Sequence, residues 1–399
     1  MILPITEILL WVLLLAVFYT YLGYGLIVFV LVKLRRLTGR GRSVTFDPAF
    51  LPDVVLMVPA YNERDYVAEK VRNSLALDYP PDKLRLFFVT EGSTDGTTEM
   101  LEERALSNPR ISVMGGQQRL GKIEAVNRAM RLIDKPFVIF TDANTRLNSD
   151  AVRHIVRHFS DPRVGAVAGE KRIQLLTNEG AAGSGEGLYW KYESLLKKLD
   201  TELYSVVGAA GELFAIRTEL YKPVERDTLL DDFVISLRIA GRGYRVVYEP
   251  AAFALERPSF SVGDEKKRKV RIAAGGFQAI IRLSALLNVA RYGWLSFQYI
   301  THRVMRWAVA PFCLPLILLL NILLVVLPGT ALYWWLLVAQ VLFYASALLG
   351  YYLEDRHIRV KLLFIPYYFS FMNVCALLGF LRYRRGNDTG IWEKVRRAV

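Results

Sequence analysis

Four short stretches hold the side chains whose types and spacing could do chemistry. The first is Val-Pro-Ala-Tyr-Asn-Glu, which ends on Tyr61 and Glu63 and is followed by Glu91-Gly-Ser-Thr-Asp95-Gly-Thr97. Small residues let a backbone approach a ligand closely, and a carboxylate there can accept hydrogen bonds from a ribose or a base. The plainer reading is a Gly/Ser turn that caps the next helix, with Asp95 and Thr97 as turn residues. The second stretch is Arg119-Leu-Gly-Lys122, leading into Glu124-Ala-Val-Asn127. Backbone donors at a helix start, together with one lysine, suit a diphosphate; a solvated helix end reads from the same letters. The third is Asp142-Ala-Asn144, directly after an apolar run. Two oxygen-bearing side chains two apart can hold a divalent ion that shares its sphere with substrate phosphates, or can form an Asx turn. The fourth is Leu229-Leu-Asp231-Asp232-Phe233. Acids at a helix start are common caps, and a carboxylate there can also act as a general base toward an attacking hydroxyl.

These stations need elements to hold them. Residues 54–59, 84–90, 111–114 and 136–141 read as buried strands, and 66–77, 97–106 and 121–132 as amphipathic helices. Strands alternating with helices imply a mainly parallel sheet covered on both faces. Ligands of such sheets bind at the carboxyl ends of the strands, which is where the two loops of the first station and the third station fall. The fourth opens an amphipathic helix running to about residue 240.

The rest of the chain is apolar. Of 399 residues 53% are hydrophobic and 22% charged, which fits apolar blocks joined to an ordinary soluble domain. No charge occurs from Ile8 to Val32, and about 20 apolar residues span a bilayer. Lys33, Arg35, Arg36, Arg40 and Arg42 follow, so an uncleaved anchor with its C-terminal end in the cytoplasm is expected. The expected organisation is an anchor (1–33), a basic linker (34–50), a cytoplasmic catalytic domain (51–264), a basic segment with interfacial amphipathic helices (265–302), two or three transmembrane helices (303–382) and a basic tail (383–399). Three C-terminal crossings would put the tail outside, whereas Arg382, Arg384, Arg385, Lys394, Arg396 and Arg397 argue for inside; Pro366 would suit a re-entrant segment. Much of the net charge of +13 sits beside apolar segments, where anionic lipid headgroups explain it better than nucleic acid does. Cys313 and Cys375 form no disulfide framework, and the four histidines show no zinc pattern.

Taken together in order and spacing, the stations resemble glycosyltransferase family 2, the group of cellulose, chitin and hyaluronan synthases and ceramide glucosyltransferase. The resemblance covers residues 51 to about 280. It implies an α/β GT-A fold (Rossmann-like, mainly parallel sheet) combined with α-helical transmembrane segments, a nucleotide-sugar donor carrying UDP, Mg²⁺ or Mn²⁺, and single-displacement inversion. On that resemblance Tyr61, Glu63, Glu91 and Asp95 would line the nucleoside pocket, and Lys122 would meet the diphosphate. Asp142 would serve the ribose, diphosphate and metal region together with Asn144. Asp232, beside Asp231, would be the base. Gly211 and Glu212, within Gly-Ala-Ala-Gly-Glu-Leu, resemble the acceptor side, to which Tyr189, Trp190, Tyr192 and Gln278 would add. Arg268-Lys-Val-Arg271-Ile272 resembles the Gln/Arg-x-x-Arg-Trp segment, so Arg268 and Arg271 would meet phosphate charge; a headgroup contact explains the same basic run.

Three departures matter. Glu91 stands where the family has Asp, Asn144 replaces the last acid of Asp-x-Asp, and Ile272 replaces a Trp that offers acceptor sugars a stacking face in polymer-making relatives. The expectation is an integral protein of the inner or plasma membrane that transfers hexose to a polysaccharide, with export partners. One-step transfer to a ceramide-like or polyprenol-type lipid is the alternative, and a degenerate subunit that binds nucleotide or glycan without turnover is a third. A transporter would need more spans and intramembrane charges.

Overall fold

The computed structural model describes residues 2–39, 46–47, 49–116, 118–174, 184–257, 261–327, 330–356, 358 and 360–386, with the side chains of 2 and 184–189 left aside. The side chain of Tyr189, together with Arg40, Arg42 and the tail lysine and arginines at 394, 396 and 397, therefore lies outside what is described.

Two helices, α1 (Ile2–Phe18) and α2 (Tyr24–Leu37), run on through one π-helical turn, Tyr19–Gly23. The catalytic-domain candidate then follows in the order β1 (Val54–Ala60), α3 (Arg64–Leu75), β2 (Leu84–Thr90), α4 (Thr97–Ser107), β3 (Ile111–Met114), α5 (Lys122–Met130), β4 (Phe137–Thr141), β5 (Thr145–Leu147), α6 (Ala151–Val156), β6 (Val164–Ile173), α7 (Ser184–Leu203), β7 (Leu213–Arg217), α8 (Asp231–Ala240) and β8 (Arg245–Glu256). The chain closes with α9 (Val262–Arg282), α10 (Val289–Tyr292), α11 (Trp294–Tyr299), a π-helical stretch Ile300–Val309, α12 (Ala310–Val326), α13 (Ala331–Asp355) and α14 (Lys361–Arg385).

The eight strands form one sheet in the order β3-β2-β1-β4-β7-β6-β8-β5. β1 pairs in parallel with β2 and β4, and β2 with β3. β6 and β8 are also parallel, while β7 runs antiparallel to both β4 and β6. The sheet is thus mixed, with parallel pairs in the majority. β1 and β4 are almost continuous apolar runs, as strands buried on both faces must be. One core, around Val55, Met57, Val138 and Phe140, packs under α5 and α8. The other, around Leu56, Val58, Ile139 and Val67, packs under α3, α4 and α6.

Because β1, β2 and β4 share one direction, their carboxyl ends share one edge. In the register Ala60 lies opposite Thr90, and Met57 opposite Phe140. The loops that open at Tyr61, Glu91 and Asp142 are therefore neighbours, as the crossover topology requires.

Among the described residues four helices are long and apolar enough to cross a membrane: Leu3–Leu37, Trp294–Val326, Ala331–Asp355 and Lys361–Arg385. They give the chain the character of a membrane protein. The basic segment with interfacial helices, expected at 265–302, opens slightly earlier, with α9 at Val262. Ser261 caps α9 by accepting a hydrogen bond from the Asp264 N–H at 3.1 Å, and Asp264 and Glu265 occupy its first turn, where the helix dipole favours acids. α9 is fitted by close approach. A Cβ on Gly276 would come within 2.7 Å of Trp307, and one on Gly379 of α14 within 2.4 Å of Ala273.

Candidate active site

The two loops expected to hold a nucleoside are tied to each other. Asn62 takes a left-handed φ of 52°, a conformation Asn tolerates better than most residues. Its Oδ1 accepts from the Thr94 N–H at 2.8 Å, and its own N–H donates to Ser93 Oγ at 3.2 Å. Thr97 Oγ1 accepts from the Glu63 N–H at 3.0 Å. Asp95 accepts from the Thr97 N–H and hydroxyl and, through its other oxygen, from the Arg64 N–H. Burial alone would raise its pKa; these hydrogen bonds outweigh that and lower it. Asp95 thus holds the loop in shape while belonging to it.

Two arginines stand beside these loops: Arg119, which opens the second station, and Arg128, which no motif marks. The Arg119 guanidinium lies over the Tyr61 ring, 4.1 Å from its centroid. Arg128 reaches Glu91 at 3.1 Å. Burial raises the pKa of Glu91, and Arg128 opposes the shift. Gly92, at φ 61°, lets the loop pass Arg119, whose backbone nitrogen would be 2.9 Å from an added Cβ.

Lys122, the first residue of α5, joins the next two stations. Its Nζ lies 3.1 Å from Asp142 Oδ1 and 3.8 Å from Asp231 Oδ2. Desolvation opposes its charge, but Asp142 and Asp231 overcome this and raise its pKa. Asp142 itself is pushed up by burial, against the pull of Lys122.

The α8 acids differ in their surroundings. Asp231 is buried beside Lys122. Asp232 faces Gly211, where an added Cβ would stand 3.4 Å from its carboxylate oxygen. Burial first, and then the Asp231 charge, raise the proton affinity of Asp232, which is how a carboxylate becomes a base near neutral pH. Glu212, next to Gly211, bonds Lys171 at 2.5 Å. Burial works to raise its pKa, but Lys171 holds it down at about 2. Lys171 also bonds Glu256.

α9 supplies the arginines. Arg271 has its pKa lowered by burial, a shift that the fields of Asp231 and Asp142 oppose. Arg268 is paired with Glu265 at 2.8 Å; burial disfavours its charge, but Glu265, Glu256 and Glu212 more than restore it. Gln278 is engaged in positioning. Its Oε1 accepts from the Leu229 N–H at 3.0 Å, and its Nε2 donates to the Asp227 carbonyl at 2.8 Å. Arg282 adds bonds to Thr228 and Asp227. Both thus fix the loop that delivers Asp231 and Asp232. Tyr192 is likewise engaged elsewhere: its hydroxyl donates to the Tyr21 carbonyl at 2.6 Å, against the anchor helix. Trp190 lies on the same helix with Lys269 5.9 Å from its ring.

Among the described residues no group of three or more His, Cys, Asp or Glu could cage a metal. Asp142 and Asn144 fit a different arrangement. They stand on one turn that Thr145 fixes through its N–H and hydroxyl to the Asp142 carbonyl. Asn144 lines a recess together with Lys70, Tyr66 and Arg257. Two oxygen ligands, with phosphate oxygens for the remainder, are a usual Mg²⁺ or Mn²⁺ set.

A family model described as "Glycosyltransferase like family 2" matches residues 52–282. The poly-beta-1,6-N-acetyl-D-glucosamine synthase of Staphylococcus aureus strain MSSA476 is 28% identical over 240 residues, 58% of this chain and 56% of the relative. The corresponding synthase of Staphylococcus epidermidis is 24% identical over 237 residues, 57% and 56% of the two chains. The chain thus spans about half the length of the curated relatives it matches. A mannosyltransferase from Pyrobaculum calidifontis, solved with GDP-Man and Mn2+, superimposes with a TM-score of 0.74 at 23% identity, covering 96% of this chain and 99% of that one. That likeness extends the fold to the membrane helices.

Proposed function

The chain belongs to glycosyltransferase-like family 2, and on that premise we propose that it is an inverting hexosyltransferase that extends a polysaccharide from a nucleotide-sugar, with UDP as the nucleotide. The observation that carries the reading is Lys122 Nζ standing between Asp142 and Asp231 at the strand-end edge. In this reading Lys122 turns to the diphosphate when the donor enters, and the acids beside it belong to the turn and the helix that carry the ion site and the base.

In this reading the nucleoside lies by Tyr61, Glu63 and Glu91 in the loop that Asp95 shapes, and the diphosphate meets Lys122 and Arg271, with Arg268 behind. Asp142 and Asn144 would hold the divalent ion, which when bound offsets diphosphate charge. The acceptor hydroxyl enters beside Gly211 and Glu212, where the missing side chain leaves room against Asp232. The Asp232 carboxylate takes the hydroxyl proton as that oxygen bonds C1. The C1–oxygen bond to the diphosphate breaks, and its electron pair leaves with the nucleotide. Attack from the opposite face inverts the anomeric centre. Asp231 holds Lys122 and raises the basicity of its neighbour. The catalytic domain, 51–264, faces the cytoplasm, where nucleotide-sugars are made and where the arginines after the anchor belong.

A lipid acceptor is the second reading. It is favoured by Ile272, which offers no stacking face, and by exposed Val289 and Trp294 on the short helices α10 and α11, which suit a bilayer interface. The test offers radiolabelled UDP-N-acetylglucosamine, UDP-glucose and GDP-mannose separately to the purified chain in lipid with Mg²⁺ or Mn²⁺. Label in a large water-soluble product supports the polymer reading. Label extracted into organic solvent supports the lipid reading. Nucleotide bound with no label moved, at any donor, overturns both.

A further inference from the structure

Lys70 is a buried cation outside every role assigned above. It lies on α3 with 1% of its surface exposed, on the face that Val67, Val71 and Ser74 bury. Its Nζ reaches Thr141 Oγ1 at 2.9 Å, the Thr145 carbonyl at 2.9 Å and Thr145 Oγ1 at 3.2 Å. An ammonium has three N–H donors, and here each has an uncharged oxygen. Those oxygens flank Asp142-Ala143-Asn144 on both sides. The grip continues inward: the Thr145 hydroxyl donates to the Asp142 carbonyl at 2.8 Å, and the Thr141 hydroxyl to the Glu212 carbonyl at 3.0 Å. One turn further along α3, Asn73 exchanges two 2.8 Å hydrogen bonds with the backbone of Leu147.

We propose that Lys70 is a positioning residue that fixes the Asp142–Asn144 turn from beneath, so that nucleoside diphosphate and divalent ion meet a preformed site. A charge is costly to bury among neutral partners. A threonine or glutamine would satisfy hydroxyls more cheaply if stability alone were served. Lys122 holds Asp142 from the opposite element, so the turn is set between two lysines carried by two helices. The inference rests on the proposed transferase reading, because it assigns the turn to donor binding.

The test is calorimetric binding of UDP and of GDP, each with and without Mn²⁺, to the full chain in lipid. Three variants are compared with the wild type: Lys70→Met, Thr145→Val and, as a control on the same helix, Asn73→Ala. Lys70→Met and Thr145→Val should weaken Mn²⁺-dependent binding on the order of tenfold, the worth of a charged hydrogen bond. Asn73→Ala should lower the melting temperature while leaving nucleotide affinity in place. Unchanged affinity in Thr145→Val, or in a folded Lys70→Met, overturns the proposal, as does an equal loss in Asn73→Ala. If wild type binds neither nucleotide with Mn²⁺, the transferase reading itself fails, a result distinct from any of these.

Discussion

Replacing Gly275 by alanine should cut turnover about tenfold or more while leaving the protein folded and able to bind donor. A Cβ at this position of α9 would stand 2.7 Å from Leu230 Cγ and 2.9 Å from Leu229 Cβ, where ordinary contact begins at 3.4 Å. The helix or the loop must give by roughly 0.7 Å to restore that contact. Two effects on stability oppose each other. Alanine in place of glycine favours a helix by about 1 kcal/mol, and overpacking costs about 1–3 kcal/mol. The net loss is then at most about 2 kcal/mol, too little to unfold most domains. Catalysis is less forgiving. Leu230 immediately precedes Asp231 and Asp232, and a misplacement of about 1 Å in a reacting group costs about a hundredfold. The measurements are initial rate at saturating donor, UDP affinity by calorimetry and a melting curve. Wild-type turnover in a variant with unchanged melting would refute the claim that α9 sets the position of the acids.

Further expectations follow from the site. Asp232→Asn should lower transfer by about 10²–10⁴ without weakening donor binding; substantial turnover would remove Asp232 from the role of base. Burial and Asp231 raise Asp232 to about 8, and the base acts ionised, so the rate should climb with pH as that proton leaves. Asp231→Asn removes the neighbouring charge and should move the acid limb to lower pH; a limb near the ordinary value of about 4 in wild type would contradict the assignment. Arg271→Met should reduce kcat about tenfold to a hundredfold more than it changes donor affinity, and an effect confined to affinity would mark a ground-state contact. Glu249 accepts from His158 at 2.7 Å and Arg157 at 2.6 Å. Burial opposes those bonds, yet the net result is a pKa lowered to about 2, so its contribution is present above the unfolded carboxyl value and lost as pH falls through the folded one. Glu249→Gln should therefore cost about 2 kcal/mol at neutral pH and flatten the acid side of the melting profile.

The parallel half of the sheet was legible because β1 and β4 are buried on both faces and read as almost unbroken apolar runs, and β2 breaks its run only at the exposed Arg85. The stations at their ends followed from topology. The other half of the sheet, where β7 runs antiparallel and β6 and β8 pair in parallel, was not legible. β7 and β8 sit among residues whose letters carry no alternation, and β8 is a long strand with Pro250 inside it and a register shift against β6 between Gly169 and Glu170. α9 was placed too late because Gly263 and four consecutive basic residues hide a helix start that Ser261 caps. Lys70 was missed for a different reason. A lysine on an apolar helix face reads as an amphipathic boundary, and its three acceptors are contributed by residues far along the chain. The partners of Arg119 and Arg128 are not legible either, since no local pattern marks which arginine will cover a tyrosine ring and which will meet a buried glutamate. Tyr192 and Gln278, expected on the acceptor side, also bond the protein's own backbone, at the Tyr21 carbonyl and at Leu229 and Asp227, which no local pattern reveals.

The position of α9 gives the membrane part a physical bearing on the chemistry. On one side its Gly275 backbone touches Leu229 and Leu230, and Gln278 and Arg282 bond the loop at 227–229. On others, Gly276 meets Trp307 and Ala273 meets Gly379, each at a separation that no added methyl would allow. Trp307 and Gly379 belong to helices that are apolar enough to span a bilayer. Packed contacts of this kind transmit displacement because interiors are close-packed and scarcely compressible. The acids of α8 therefore take their position from helices outside the sheet that carries the loops at Tyr61, Glu91 and Asp142. A fragment limited to residues 51–264 would keep Tyr61, Glu91, Lys122 and Asp142, and would lose what holds Asp231 and Asp232 in register with them.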